Sequence, residues 1–309
     1  MLNRDNPYFR QVALIIDLLP LIGEETCFAL KGGTAINLFV RDLPRLSVDI
    51  DLTYLQREAR DTALANIGAA LERVAARCEA TMPGMAVTRL VDKQVNLLKL
   101  QFERQGVRVI AEVSPVLRGT VLEPVMMDVG STVEAELAYT RMRLLDQREL
   151  YAGKLCAALD RQHPRDLFDV KALLENDGID AGLMDAFVVY LISANRPIAE
   201  MLAPNFVPLE DTYANHFVGM SLKPVTLQEL EETRVTMVRL IHEKLTESHK
   251  RFLLALKQSE PDWSLLAFKN IHDLPAVRWK LRNLAAMSPR KREQSIKRLA
   301  QVLEKTNVV

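Results

Sequence analysis

The stretch Phe28 to Leu52, FALKGGTAINLFVRDLPRLSVDIDL, places a Gly-Gly turn and two aspartates beside short apolar runs. The apolar pattern predicts a strand at 27–30, a turn at 32–33, a brief helix at 35–40 and a second strand at 48–54. Asp49 and Asp51 lie two residues apart on the second strand, so both side chains point to one face. Two neighbouring carboxylates repel each other unless a cation lies between them.

The Gly-Gly turn leaves one strand and enters a helix, so its backbone N–H groups could approach a phosphate closely. Thr34, at the cap position, could donate its hydroxyl to the same oxygens. Each motif is weak alone, because Gly-Gly also makes ordinary turns and Asp-x-Asp arises by chance. Together they predict a site for a phosphate-bearing ligand and a cation such as Mg²⁺, with Mn²⁺ as the alternative. Glu112, on a later strand, could supply a third carboxylate.

Composition sets broad limits on the function. The 309 residues are enough for two domains, although one large domain fits as well. Lys plus Arg (40) equals Asp plus Glu (40), so the whole-chain charge neither favours nor opposes a nucleic-acid partner. Cys27, Cys78 and Cys156 lack zinc or redox spacing, which favours a reducing, cytoplasmic setting. Neither a signal peptide nor a membrane span is predicted, so we expect a soluble intracellular protein without a membrane partner.

The remaining chain divides into a part with strands and a part without them. Apolar spacing predicts helices at 8–22, 57–80, 146–158 and 165–175, and strands at 86–91, 95–102, 107–113 and 141–145. From residue 181 the strand signals fade, and a capping box at Thr226 and Glu229 opens one long helical pattern reaching about Lys257. We therefore expect a core with the active site at residues 1–180 and a mainly helical domain at 181–309.

Two charged features have both an ordinary and a functional interpretation. Glu112 lies on a mostly apolar strand, where an ion pair with Arg108 or another basic group, or exposure at the strand end, would explain it. Near the C-terminus, basic residues outnumber acidic ones and could follow an RNA phosphate backbone, although such runs are usually solvated helix faces. The nine basic residues are Arg278, Lys280, Arg282, Arg290, Lys291, Arg292, Lys297, Arg298 and Lys305.

Five segments carry a family resemblance. The strings LKGGTAINLF from Leu30 and LSVDIDL from Leu46 resemble the signature of the AbiEii/AbiGii-type toxin family, within the DNA polymerase β-like nucleotidyltransferase superfamily. The strings EVSPVLRGT from Glu112, ELYAGKLCAAL from Glu149 and RDLFD from Arg165 resemble its later segments. The resemblance implies an α/β (α+β) nucleotidyltransferase core, a mixed sheet flanked by helices, and magnesium-dependent nucleotide transfer from an NTP.

The resemblance also implies roles for individual residues. Three consecutive residues would hold the triphosphate: Gly32, Gly33 and Thr34. Ser47 would lie near the metal-binding edge, and Asp49 and Asp51 would be the metal ligands. Lys154 would neutralise phosphate charge, a role that suits a flexible ammonium group.

The identity of the third acid stays open at this stage. Asp166 matches the acid of the Arg-Asp-x-x-Asp element and would orient Lys154 or help to activate the acceptor, but Asp169 could take that place. Glu112 is the other candidate, so the catalytic base is undetermined.

Family members are toxins of bacterial toxin–antitoxin or phage-defence pairs, encoded beside an antitoxin, and some modify the acceptor end of tRNA. We therefore expect transfer of a nucleoside monophosphate (NMP) to RNA, with tRNA as the first candidate and Arg278 to Lys305 as its contact. One alternative is NMP transfer to a protein or a small molecule. Another is a non-catalytic nucleotide-binding protein that serves a partner.

Overall fold

The computed structural model describes residues 6–304, so Lys305 of the predicted basic segment lies outside the described residues. The strands are β1 (Phe28–Lys31), β2 (Asp49–Tyr54), β3 (Ala86–Val91), β4 (Leu97–Arg104), β5 (Val107–Val113), β6 (Val125–Asp128) and β7 (Arg141–Leu144). The first helices are α1 (Pro7–Gly23), α2 (Gly32–Ala35), α3 (Arg60–Thr81), α4 (Ser131–Glu136), α5 (Gln147–Arg161) and α6 (Pro164–Asn176). The later helices are α7 (Ala181–Ser193), α8 (Ile198–Leu202), α9 (Glu210–His216), α10 (Leu227–Lys244), α11 (Glu247–Gln258), α12 (Pro275–Ala285) and α13 (Pro289–Glu304).

The strands form one seven-stranded mixed sheet in the order β3-β4-β5-β2-β1-β7-β6. β2 pairs in parallel with β5, and β1 pairs in parallel with β7, whereas the other neighbours are antiparallel. The apolar stripe of α1 is fully buried and packs against β5 and β7, while α3 packs on β4. The expected mixed α/β fold, with helices covering the sheet, is confirmed.

The chain divides into two compact units. The first comprises the described chain up to Leu150 together with Gly219–Pro224, and the second comprises Tyr151–Val218 and the described chain from Val225 onward. Residues 219–224 join the first unit partly because the Leu46 N–H donates to the Met220 carbonyl at 2.7 Å. The division falls after residue 150, whereas the sequence predicted a boundary after residue 180. In the second unit α6 packs against α10, which places α6 with the later helices.

Two local predictions needed correction. The long helical pattern that starts at Thr226 is two helices, α10 and α11, because Thr246 caps a new helix: its hydroxyl accepts the His249 N–H at 3.2 Å. The helix expected at 35–40 instead begins at Gly32 and continues from Ile36 to Val40 as a π-helical turn. By contrast, the capping box at Thr226 and Glu229 is confirmed.

Within residues 6–304, none of the helices combines the length and apolar composition needed to cross a membrane. Cys27, Cys78 and Cys156 are all free thiols. Burial raises the pKa of both Cys27 and Cys78 to about 11, so these two thiols stay protonated at neutral pH.

Candidate active site

The first unit places several candidate site residues where β1 ends and β2 begins. In the antiparallel register of these strands, Lys31 lies opposite Asp51. On the other side of β2, the parallel register places Asp51 beside Glu112 on β5. The sheet therefore brings the Gly-Gly turn, the Asp-x-Asp strand and Glu112 to one region.

The two glycines allow side chains from the following loop and strand to approach the turn. Gly32 has a φ of +71°, and a Cβ added there would lie 2.4 Å from Asp51 Oδ2. A Cβ at Gly33 would lie 2.6 Å from Arg45 Nη2 and 2.8 Å from Ser47 Oγ. From the sequence, the glycines were expected to let a phosphate come close to the backbone. The structure shows that glycine is also required by the packing of the protein itself, since any side chain here would displace Asp51, Arg45 or Ser47.

Thr34 and Ser47 are tied to the start of β2. The Thr34 hydroxyl donates to the Asp49 carbonyl at 2.5 Å and lies 3.1 Å from Ser47 Oγ. Both residues are buried. The Thr34 proton is thus used inside the protein, where it holds Asp49 next to α2, and its contact with a triphosphate stays a prediction.

Arg45 is a candidate site residue that the sequence reasoning missed. Its side chain is buried, and Nη1 donates to the Leu46 carbonyl at 3.0 Å. Its guanidinium lies against Gly33, which introduces a positive charge beside the turn. The available signal was its position two residues before Ser47 in the quoted stretch, but nothing in a sequence shows that an arginine in a loop folds inward.

Asp49 is exposed and Asp51 is partly buried, whereas Glu112 is engaged in an ion pair. Lys99 Nζ lies 2.9 Å from Glu112 Oε2, and both side chains are partly exposed. This ion pair agrees with one of the ordinary interpretations of Glu112, although the partner is Lys99 rather than Arg108. Among residues 6–304, no group of three or more His, Cys, Asp or Glu side chains is arranged to hold a metal ion.

The second unit contains a buried charge cluster on α5 and α6. Lys154 Nζ lies 3.0 Å from Asp166 Oδ1 and 2.9 Å from Asp169 Oδ2. Arg161 also binds Asp166, with Nε 2.5 Å from Oδ2 and Nη2 3.0 Å from Oδ1. The i, i+3 spacing on α6 places both aspartates on one face, and Lys154 contacts both of them.

The cluster holds Asp166 in its ionised form. Burial alone would raise the pKa of Asp166, but the charge of Lys154, followed by the hydrogen bond and charge of Arg161, lowers it far below its usual range. A carboxylate with a very low pKa is a weak proton acceptor. This environment therefore suits Asp166 to holding Lys154 in place more than to accepting a proton.

His163 positions the start of α6. Its Nδ1 accepts the Arg165 N–H at 3.1 Å and caps the helix. Burial, together with the charge of Arg165, lowers the pKa of His163 to about 4. The imidazole is therefore neutral at physiological pH, which keeps Nδ1 available as an acceptor.

Replacing Gly32 by alanine is expected to reduce both stability and nucleotide transfer. The positive φ costs an alanine about 1–2 kcal/mol, and the overlap with Asp51 adds about 1–3 kcal/mol. Gly106→Ala is the matched control, because Gly106 has a φ of +76° but nothing within 4 Å of an added Cβ. In urea unfolding, Gly106→Ala should lower the free energy of unfolding through backbone strain alone, and therefore by less than Gly32→Ala. Equal losses for the two variants would contradict the proposed close contact with Asp51.

The mixed sheet places the Gly-Gly turn next to the Asp-x-Asp strand, and these are two of the segments that carry the family resemblance. The family model described as nucleotidyl transferase AbiEii toxin, type IV toxin–antitoxin system, matches residues 14–283. The chain therefore belongs to the AbiEii family, which confirms the resemblance seen in the sequence. It is a nucleotidyltransferase toxin of the type IV class, with a nucleotide as substrate and an antitoxin as partner.

Among solved structures, the chain is similar to MenT4, a nucleotidyltransferase toxin from Mycobacterium tuberculosis H37Rv. The TM-score is 0.56 at 13% sequence identity, with 96% of this chain and 93% of that chain covered. At this identity the similarity shows the fold. No significant match was found among curated proteins.

Proposed function

We propose that this toxin transfers an NMP from an NTP to RNA, preferentially to the acceptor end of tRNA, in a reaction that requires Mg²⁺. The observation that carries the proposal is the close packing of Gly32 against Asp51 at the start of the Asp-x-Asp strand. In such a reaction an acceptor hydroxyl attacks the α-phosphorus, the bond to the bridging oxygen breaks, and pyrophosphate leaves. The hydroxyl proton passes to a base.

The two aspartates of β2 are suited to hold the metal. Mg²⁺ usually keeps several waters and is bound by one or two carboxylates together with substrate phosphates, so a protein cluster of three acids is not needed. Asp49 is exposed, and the strand alternation gives Asp51 the same face. Bound there, Mg²⁺, or Mn²⁺ in its place, would supply charge neutralisation at the reacting phosphate.

Basic groups of the chain are proposed to offset the charge of the nucleotide. Arg45 adds a guanidinium beside Gly33, and Ser47 Oγ lies against the same glycine. Gly33 has no side chain of its own between its backbone N–H and a phosphate. By the family resemblance, Lys154 would neutralise a phosphate, and its ion pairs with Asp166 and Asp169 hold its ammonium group in a defined position.

Within α12 and α13, the ion pairs indicate which basic residues are available for the proposed RNA contact. Arg278 pairs with Asp273 at 2.7 Å, Lys297 with Glu293 at 3.1 Å, and Arg298 with Glu200 at 3.1 Å. Three exposed cations make no ion pair or side-chain hydrogen bond within the described part of the chain: Arg282, Arg290 and Lys291. Cations without an acidic partner are the ones most available to RNA phosphates.

The base that accepts the hydroxyl proton is proposed to be one of three acids: Glu112, Asp166 or Asp169. Asp166 pairs with Lys154 and Arg161, Asp169 pairs with Lys154, and Glu112 pairs with Lys99. Asp166 and Asp169 are buried, whereas the Glu112 side chain is partly exposed. Comparing Asp166→Asn, Asp169→Asn and Glu112→Gln in one transfer assay identifies which of them is needed.

The cellular setting is also part of the proposal. Belonging to a type IV toxin family implies an antitoxin. We propose that this antitoxin is encoded beside the toxin gene and that the pair acts in phage defence. Three free cysteines fit a reducing cytoplasm.

Incubation with total tRNA and each α-labelled NTP is expected to label RNA only when Mg²⁺ is present. Digestion of the product from its 3′ end should release the label first if the acceptor end is modified. Labelled protein would instead support a protein as the acceptor. If none of the four NTPs labels RNA or protein, the proposed reaction is contradicted. Chelation by EDTA, followed by addition of Mg²⁺ or Mn²⁺, tests metal dependence in the same samples.

A further inference from the structure

Arg118 is a buried cation without a partner. It lies in the irregular segment after β5, and only 5% of the residue is exposed. Its Nε and Nη1 are buried and have no hydrogen-bond partner within residues 6–304, and no carboxylate there lies within 4.0 Å. A buried guanidinium with unmet donors is strongly unfavourable, so the surroundings of Arg118 are suited to an acceptor that residues 6–304 do not provide.

The backbone next to Arg118 is held at the end of β2. The Gly119 N–H donates to the Tyr54 carbonyl at 2.8 Å, and the Arg57 side chain donates to the Thr120 carbonyl. This segment is therefore anchored on both sides of the position that carries Arg118, where Val116 also accepts the Arg118 N–H at 3.0 Å. An anchored backbone keeps the guanidinium at a defined place.

A second cation belongs to the same region. The contact between Arg57 and the Thr120 carbonyl brings the segment of Arg118 to the residues just before α3, which begins at Arg60. Burial lowers the pKa of Arg118, and the nearby charge of Arg60 lowers it further. Arg60 opens α3 and donates to Gln94 at 3.4 Å, without an ion pair to any described residue. Two acidic groups, Tyr54 and then Glu58, act in the opposite direction and raise the pKa of Arg118. They are already bonded, because Glu58 Oε2 accepts from Tyr54 and from Asn66, both at 2.9 Å.

The start of α3 adds backbone donors to this region. The helix is 22 residues long, and its N-cap, Ala59, has no side chain that could accept a hydrogen bond from the first turn. Free N–H groups at a helix N-terminus favour an anion. This feature alone would not define a site, but the unpartnered Arg118 independently requires an acceptor.

We propose that Arg118 and Arg60 bind a phosphate-type oxyanion at the end of β2 remote from Asp49. Asp49 opens β2 and Tyr54 closes it, so the two ends are about 17 Å apart at the usual rise per residue. Because Arg118 is almost fully buried, the site takes a small free anion or a terminal phosphate group. The middle of an RNA chain would not reach it. This anion site is distinct from the proposed catalytic site.

Thermal unfolding of the full chain in EDTA, with phosphate compared with chloride at equal ionic strength, tests the site. An Asp49→Asn background removes a proposed metal ligand and so limits binding at the candidate active site. Phosphate is expected to raise the Tm by several degrees through ligand linkage. Arg60→Gln should weaken phosphate binding at least about tenfold, measured by ³¹P NMR titration, whereas Arg10→Gln, an exposed arginine on α1, should not.

Arg118→Met separates a binding role from a structural one. Removing an unpaired buried charge is expected to raise the Tm in chloride and to abolish the phosphate response. A lower Tm in chloride together with an unchanged phosphate response would overturn the proposal, as would no response of the wild-type protein. If Arg118→Met fails to fold, Arg60→Gln decides the question. If RNA with a 5′-phosphate competes with inorganic phosphate and the 5′-hydroxyl form does not, the ligand is a terminal phosphate group. If inorganic phosphate binds and neither RNA competes, the ligand is a free anion.

Discussion

Replacing Asp51 by asparagine is expected to lower nucleotide transfer about a thousandfold or more while leaving the fold intact. The substitution keeps the size of the side chain but removes the charge that would bind Mg²⁺. Losing about 4 kcal/mol of charge stabilisation at the reacting phosphate corresponds to about three powers of ten in rate. The α-labelled NTP assay measures the rate, and circular dichroism checks the fold. Asp49→Asn should behave in the same way.

Asp17→Asn provides the matched control. Asp17 is an exposed carboxylate on α1, and its Oδ2 lies 3.5 Å from Arg104, so the same chemical change is made away from β2. Its transfer rate should equal that of the wild type. Wild-type activity in both Asp49→Asn and Asp51→Asn would refute the assignment of these residues to the metal. Loss of transfer together with retained toxicity in cells would favour the non-catalytic alternative.

Replacing Lys154 by methionine is expected to destabilise the second unit by about 3–5 kcal/mol, because it leaves two buried carboxylates without their shared cation. Asp166 and Asp169 are each 1% exposed, so water cannot replace the ammonium group. For a unit of this size the loss corresponds to about 10 °C in Tm. Lys171→Met is the control: its partners Glu175 and Glu229 are exposed, and surface pairs contribute about 0–1 kcal/mol.

The effect of Lys154 on stability should depend on pH. Because the pKa of folded Asp166 is lowered, its stabilising contribution is present above the unfolded value of about 3.9 and is lost as the pH falls below it. The Tm difference between wild type and Lys154→Met should therefore narrow as the pH decreases from about 5 to about 3. Adding Asp166→Asn and Asp169→Asn to Lys154→Met should restore part of the loss. A constant difference at all pH values would show that Lys154 acts by packing.

The hairpin between β4 and β5 shows what local patterns predict well. Alternating apolar residues predicted a strand at 107–113, and β5 has these same bounds. The turn between the strands lies at Gln105 and Gly106, and both residues have positive φ values, as a tight hairpin requires. β4 begins two residues later than predicted, within the usual uncertainty of strand ends.

The break between α10 and α11 shows where pattern reading failed. Apolar residues continue at helical spacing through Leu245, so periodicity alone predicts one helix. Helix α10 ends there because the Thr246 side chain accepts the His249 N–H and so begins a new helix, α11. A Thr three residues before His249 was the available signal, but the usual capping box carries Glu or Gln at that position.

By itself, the sequence determined which local elements form, the Gly-Gly turn, the shared face of Asp49 and Asp51, and membership of a nucleotidyltransferase family. These features depend on neighbours a few residues apart, where the backbone period dictates direction. Only the tertiary structure decided that Gly32 makes room for Asp51, that Arg45 folds against Gly33, and that Lys154 joins Asp166 to Asp169. Those contacts join residues about ten to twenty positions apart, and they depend on strand register and helix packing, which no local period encodes.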